Sequence, residues 1–238
     1  SLGDSPTGGL SETQLRNMAS AMINISDQTI GIWVTGNGKV TADPDLAILT
    51  LGVEARRQTI SAARSDAAQA MTSIMYSLMK QGVVENDIRT IRFSIQPDYK
   101  YDERTRRQIL TGYQVSNTVT VKIRDLDSVG DVIDASASAG GDTTRIQGIQ
   151  FTIENPAALE SQAREKAVKD ALAKAQQFAT LTGVSLGKLV YITEDSTYVR
   201  PIPVSRAMSM DAVAGAPTPI SSGELDVQVS IKAGFGIH

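Results

Sequence analysis

Between Ile30 and Ala55 the chain alternates apolar and polar residues, pauses, and alternates again. Ile30, Ile32 and Val34 share one parity, and Gly36-Asn37-Gly38 interrupts them. Asp43-Pro44-Asp45 resets the chain, and Leu49, Leu51, Val53 and Ala55 resume the pattern. A period of two is the signature of half-buried strands. Gly-Asn-Gly tolerates positive φ, so the reading here is strand, turn or bulge, strand, an opening hairpin. The same period returns twice. Residues 88–124 read as a long hairpin: Ile91, Phe93 and Ile95 alternate outward, and Tyr113, Val115, Val119, Val121 and Ile123 alternate back. Its polar tip, 98–110, is expected to project. The final stretch, Leu225 to Ile237, alternates once more and is expected to insert into a sheet begun early in the chain. One wet and one buried face per strand points to antiparallel sheets.

Helical spacing falls between these segments. Ile60, Ala63, Ala67, Ala70, Met71, Ile74 and Leu78 define a helix over 60–81, with Thr59 as its cap and Gly82 as its stop. Met71, Met75 and Met79 form a stripe. Such a stripe can hold a soft metal, but core or interface packing is the simpler reading. A short helix follows Asp125 and stops at Gly140-Gly141, and a strand carries Ile146, Ile149, Phe151 and Ile153. Asn155-Pro156 then opens a long helix with the stripe Leu159, Ala163, Ala167, Ala171, Ala175 and Phe178. Its pairs Glu160–Arg164, Glu165–Lys169 and Asp170–Lys174 read as a solvated face. Lys188 to Thr193 is a strand, and 194–222, with four prolines, is an irregular loop. Residues 1–27 read as a flexible leader, in which Leu10 to Ile23 is either a docking helix or a frayed terminus. The fold class is α+β: antiparallel sheets with helices packed on one face and a long projecting hairpin. The domain is placed at 28–238, as one body or two packed halves.

Composition removes most chemistry. The 238 residues include no cysteine, and the one histidine is the last residue, His238. Disulfides, thiolate nucleophiles, histidine general bases and Cys/His metal clusters are therefore absent, and neither a metal nor a cofactor is expected. Gly36-x-Gly38 lacks the third glycine and the following helix of a dinucleotide fingerprint. The run Gly183 to Lys188 is one residue short of a phosphate loop, lacks Ser or Thr after the lysine, and enters a strand. Asp43 and Asp45 flank Pro44 and read as turn formers. A Ser–Lys dyad or a carboxylate pair is left open by composition, and a hydrolase of that kind is the remote third reading. The net charge of −3 and the lack of a long basic stripe argue against nucleic acid. No run approaches the about 20 apolar residues of a membrane span. At the hairpin tip Tyr99, Tyr101, Arg104, Arg106 and Arg107 are candidate partner contacts, with a plain solvated tip as the alternative.

Several motifs occur in a familiar order. They are Val34-Thr-Gly36-Asn-Gly38, Ala42-Asp-Pro44-Asp45-Leu-Ala47, Leu51-Gly-Val53, Gln96-Pro97, and Thr111-Gly112-Tyr113 with Val115-Ser116. Val129-Gly130, Asn155-Pro156, Ala163-Arg164, Ala173-Lys174-Ala175 and Gly183-Val184 follow. Over about 29–237 the chain resembles the SIMPL-domain family. That resemblance implies an exported, extracytoplasmic bacterial protein, periplasmic in its mature form. It also implies an α+β fold, self-association into a homo-oligomer, no enzymatic activity, and a loose link to oxidative-stress defence or envelope integrity. It carries over no catalytic residue: Gly36, Gly38, Pro44 and Tyr113 look structural. The alternative function is a ligand- or protein-binding module using the 98–110 tip and the 194–222 loop.

Overall fold

The structure is a computed structural model that describes residues 31–201, 218 and 220–238. The proposed leader 1–27 and most of the 194–222 loop lie outside the described residues. Seven strands and three α-helices are described: β1 (Ile32–Ala42), β2 (Leu46–Arg57), α1 (Ile60–Lys80), β3 (Ile88–Asp102), β4 (Arg107–Ile123), α2 (Val129–Gly140), β5 (Thr144–Thr152), α3 (Ala157–Thr182), β6 (Leu186–Pro201) and β7 (Leu225–Ile237). They form a three-stranded sheet, β1-β7-β6, and a four-stranded sheet, β3-β4-β2-β5. The α+β class with antiparallel sheets is as the alternation indicated.

The chain divides into two compact units. One comprises Ser1–Val40, Ala157–Tyr198 and Val227–His238; the other comprises Thr41–Pro156 and Val199–Asp226. In the second unit every strand pair is antiparallel, with Leu51 opposite Val119 and Ile95 opposite Val115. Leu49, Leu51, Val53, Val115, Val119 and Val121 point into one buried layer. The helices α1 and α2 cover that layer with Ala63, Ala67, Met71, Ile74, Leu78, Val129 and Val132. Thr59 caps α1, its Oγ1 accepting the Ala62 N–H at 3.2 Å. Met71 is buried and Met75 packs against the core, while Met79 is exposed, so the stripe is largely packing.

In the first unit α3 lies on the three-stranded sheet. Its contact residues are Ala163, Ala167, Ala171, Ala175 and Ala179, all buried. These face Val34, Val40, Val227, Val229, Ile231 and Ala233 in the buried layer. The end of β7 pairs with the start of β6: Ser185 N–H donates to the His238 carbonyl at 2.9 Å and His238 N–H to the Ser185 carbonyl at 3.1 Å.

Four expectations are corrected. The opening hairpin does not exist, because β1 and β2 join different sheets. Gly36 and Gly38 are not a turn either; β1 runs straight through them. An added Cβ at Gly36 would sit 2.1 Å from the Ala167 carbonyl oxygen, and one at Gly38 would sit 1.8 Å from that of Ala163. These glycines let a helix backbone rest directly on a strand. Pro44, by contrast, does sit in the connection between β1 and β2, and it is buried. Second, β6 extends to Pro201, so the first part of the 194–222 loop is strand. Third, Phe178 is 52% exposed; the α3 stripe is alanine alone and continues to Ala179. Fourth, Ile91, Phe93 and Ile95 are exposed rather than core, because β3 is an edge strand.

Candidate functional surfaces

The hairpin tip is built by β3 and β4, whose pairing continues from Asp98–Gly112 to Asp102–Arg107. Four residues, Glu103 to Arg106, close it. Asp102 organises the turn: its carboxylate accepts the Arg104 N–H at 3.0 Å and the Thr105 hydroxyl at 2.8 Å. The Thr105 hydroxyl, followed by the Arg104 amide, holds the Asp102 carboxyl below its ordinary value. Arg106 adopts a left-handed conformation with φ of 53°. Such a residue near the end of a four-residue loop reverses the chain at some cost in strain. Tyr99 stands opposite Leu110 and Tyr101 opposite Gln108. Both tyrosines, Ile109 and Leu110 are exposed. Arg104, Arg106 and Arg107 are exposed and make no ion pair with a described residue. The structure thus brings the five proposed contact residues onto one hairpin end. Tyr113 is half-buried, opposite Pro97 and Arg57.

Towards the base of that hairpin lies a feature the alternation alone did not reveal. Phe93 and Ile95 pair with Asn117 and Val115 on the helix-covered face of the sheet. At this edge the helices no longer reach them: Phe93 is 55% and Ile95 39% exposed. Beside them the Asn117 Oδ1 is buried without a hydrogen-bond partner among the described residues. A buried acceptor without a donor costs about 1–3 kcal/mol. The signal in the sequence was an Asn facing the core side in an otherwise aliphatic strand.

Charged side chains form one small cluster and several pairs. Arg124 donates to both Asp87, at 2.5 and 3.1 Å, and Glu154, at 2.8 and 2.7 Å. Those bonds raise the Arg124 pKa and, with Lys122 adding to them, hold that of Glu154 down. Arg164 pairs with Glu194 at 2.7 Å, across to β6 rather than along the helix to Glu160. Glu165–Lys169 and Asp170–Lys174 form as read from the sequence. Asp45 accepts the Glu154 N–H at 2.7 Å, so its side chain ties the β1–β2 connection to the segment after β5. Among the described residues no group of three or more His, Asp or Glu side chains could hold a metal. No described helix is long and apolar enough to cross a membrane.

The fold and its surfaces define a class first: an α+β protein of two sheet-and-helix units, whose distinctive surfaces are open strand edges and a projecting hairpin. Comparison with known proteins then gives the family. The SIMPL family profile, "Protein of unknown function (DUF541)", matches residues 32–235. The "26 kDa periplasmic immunogenic protein" of Brucella melitensis is 35% identical over 219 residues, covering 90% of this chain and 87% of that protein. The "Uncharacterized protein YggE" of Escherichia coli is 27% identical, covering 84% and 78%. The human "Interleukin-1 receptor-associated kinase 1-binding protein 1" is 24% identical, covering 70% and 60%. The chain belongs to the SIMPL family.

Proposed function

We propose that this chain is a non-catalytic protein of the bacterial envelope that acts by associating with copies of itself. The observation that carries the reading is the β3 edge, where Phe93 and Ile95 lie uncovered beside the unpartnered Asn117 Oδ1. Edge strands with exposed apolar side chains are templates for pairing. A docked copy would cover the two side chains. The extracytoplasmic setting is supported by the Brucella relative, whose name places it in the periplasm. The expected link to oxidative-stress defence or envelope integrity belongs to this reading too, as a consequence of the assembled form.

Light scattering on the purified chain tests the association. The parent is expected to show a concentration-dependent oligomer that the F93S/I95S double variant loses while keeping its circular dichroism spectrum. A strict monomer at the highest attainable concentration overturns the reading. Fractionating cells that express the full-length gene tests the setting, and recovery only in the cytoplasm refutes it. The second reading, a protein-binding module, is favoured by the exposed Tyr99, Tyr101 and Leu110 of the tip. Replacing 103–106 with Asn-Gly and trimming the tip should then abolish capture of a partner without changing the oligomer.

A further inference from the structure

The open face of the four-stranded sheet, away from α1 and α2, carries a polar hollow of about 250 Å³. A row of residues crosses the sheet beneath it: Arg92 on β3, Thr118 on β4, Gly52 on β2 and Arg145 on β5. Gly52 presents bare backbone in the middle of that row, packed so closely on β4 that a Cβ there would come within 2.4 Å of the Asn117 carbonyl oxygen. Both edge strands are irregular at this level. The β3–β4 register shifts between Thr90 and Arg92, and the β2–β5 register shifts between Thr50 and Leu51. Each shift leaves one residue, Ile91 or Gln147, without a partner in the ladder. Bulges of this kind bend a strand and re-aim its side chains, often beside functional sites. Here Gln147 turns its amide onto the buried Thr118 hydroxyl at 3.3 Å.

The charges of the hollow are unequal. The Arg145 guanidinium is fixed by the Asp142 and Thr144 carbonyls, both at 2.8 Å, and lies 3.6 Å from Glu54. Glu54 is shared with Arg56 at 3.3 Å. Arg92 is exposed, faces a threonine rather than a carboxylate, and makes no ion pair with a described residue. The remaining wall is hydroxyl and carboxamide: Ser94 and Ser116, 3.4 Å apart, then Gln96 and Gln114. Such groups both donate and accept. An apolar ligand has no floor here, and an unpaired guanidinium selects a carboxylate or phosphate oxygen.

We propose that this hollow is a binding site for a small hydroxylated carboxylate of about the size of a sugar acid. Arg92 takes the carboxylate, and the Ser94, Ser116 and Gln114 side chains take the hydroxyls. Amide-resolved NMR titration of the whole chain with glucuronate tests it, with glucose and inorganic phosphate as comparison probes. Glucuronate is expected to shift signals around Arg92, Ser116 and Arg145 saturably, and R92Q to weaken binding about tenfold or more. R92K, which keeps the charge but loses the fork, should fall between. S116A should weaken glucuronate and leave phosphate unchanged. Absence of saturable shifts, equal binding of glucose, or unchanged affinity in a folded R92Q overturns the site. Phosphate binding as tightly as glucuronate overturns the hydroxylated ligand.

Discussion

Replacing Gly38 with alanine separates two accounts of the same glycine. If Gly38 served only backbone freedom in a strand, alanine would stabilise the protein by about 0.4–1 kcal/mol, by restricting the unfolded chain. The structure predicts the opposite sign. The new methyl would lie 1.8 Å from the Ala163 carbonyl oxygen and 2.6 Å from the Ala167 nitrogen. Both are helix backbone, so no side-chain rotation relieves the clash, and α3 must lift from β1. Overpacking costs about 1–3 kcal/mol and occasionally more, and a backbone obstacle places this case near the upper end, about 3 kcal/mol. For a chain of this size that corresponds to a Tm lower by about 6–12 °C. The assay is built in. Trp33, the only tryptophan, lies on β1, packs over Gly234 and sits 5.4 Å from the Tyr191 ring, so its fluorescence in urea reports on the first unit. G36A should behave alike, because its methyl would lie 2.1 Å from the Ala167 carbonyl oxygen. A G38A protein with an unchanged or higher midpoint would refute the close-packing argument.

Other outcomes follow from the same geometry. I74A removes a fully buried side chain between α1 and the sheet and should cost about 2–5 kcal/mol in urea unfolding; a loss below about 1 kcal/mol would mean the core collapses around it. The carboxyls of Glu154, Glu165, Asp170 and Glu194 are all held low, chiefly by Arg124, Lys169, Lys174 and Arg164 in turn. A depressed folded-state pKa gives stability that is present above the ordinary carboxylate range and lost as pH falls through the lower folded values. Tm should therefore hold from neutrality to about pH 5 and fall below about pH 4, with a smaller fall in high salt because the pairs are exposed; a Tm rising on acidification would sink this. R124Q should lower Tm at neutral pH and lose much of that difference in acid, where the Glu154 carboxylate that Arg124 holds low becomes neutral.

Much of this fold was legible because its elements obey simple periods. The alternation in 113–123 and 225–237, the helix over 60–80 and its Thr59 cap all appear where spacing places them. The failures share a cause: one residue pattern serves two physical ends, and a distant segment decides between them. Glycine at 36 and 38 suits a turn or a close approach, and only the alanines at 163, 167 and 171 decide. Phe178 and Ala179 fit the helical stripe equally, and spacing does not say that Ala179 is buried while Phe178 is 52% exposed. Ile91, Phe93 and Ile95 alternate like core residues, and alternation cannot report that β3 is an edge. The position of the hairpin tip was legible, since a polar turn between apolar runs is local. The hollow was not, since it arises from two bulges and a glycine on different strands.

The charged face of α3 shows why the uncovered edge has meaning. Lys174 Nζ donates to the Thr35 carbonyl at 2.9 Å, Asp170 accepts the Asn37 N–H at 2.8 Å, and Lys166 Nζ donates to the Lys39 carbonyl at 3.0 Å. Spaced four residues apart along α3, these side chains occupy alternate backbone groups along β1, the terminal strand of its sheet. The run read as a solvated face is a clamp that closes that edge to other strands, a recognised way of preventing edge-to-edge association. The β3 edge is treated differently. Its Arg89 and Arg92 are charged, yet Phe93 and Ile95 stand open, and among the described residues no helix side chain bonds to its backbone. One terminal strand is sealed with three side-chain bonds and another keeps uncovered apolar residues, so the proposed association is assigned to the second. Removing the clamp should therefore add a new mode rather than weaken the old one. If the chain self-associates as proposed, K166A/D170A/K174A is expected to aggregate through β1 while F93S/I95S still removes the proposed oligomer, and identical scattering from the clamp variant and the parent would contradict this division of roles.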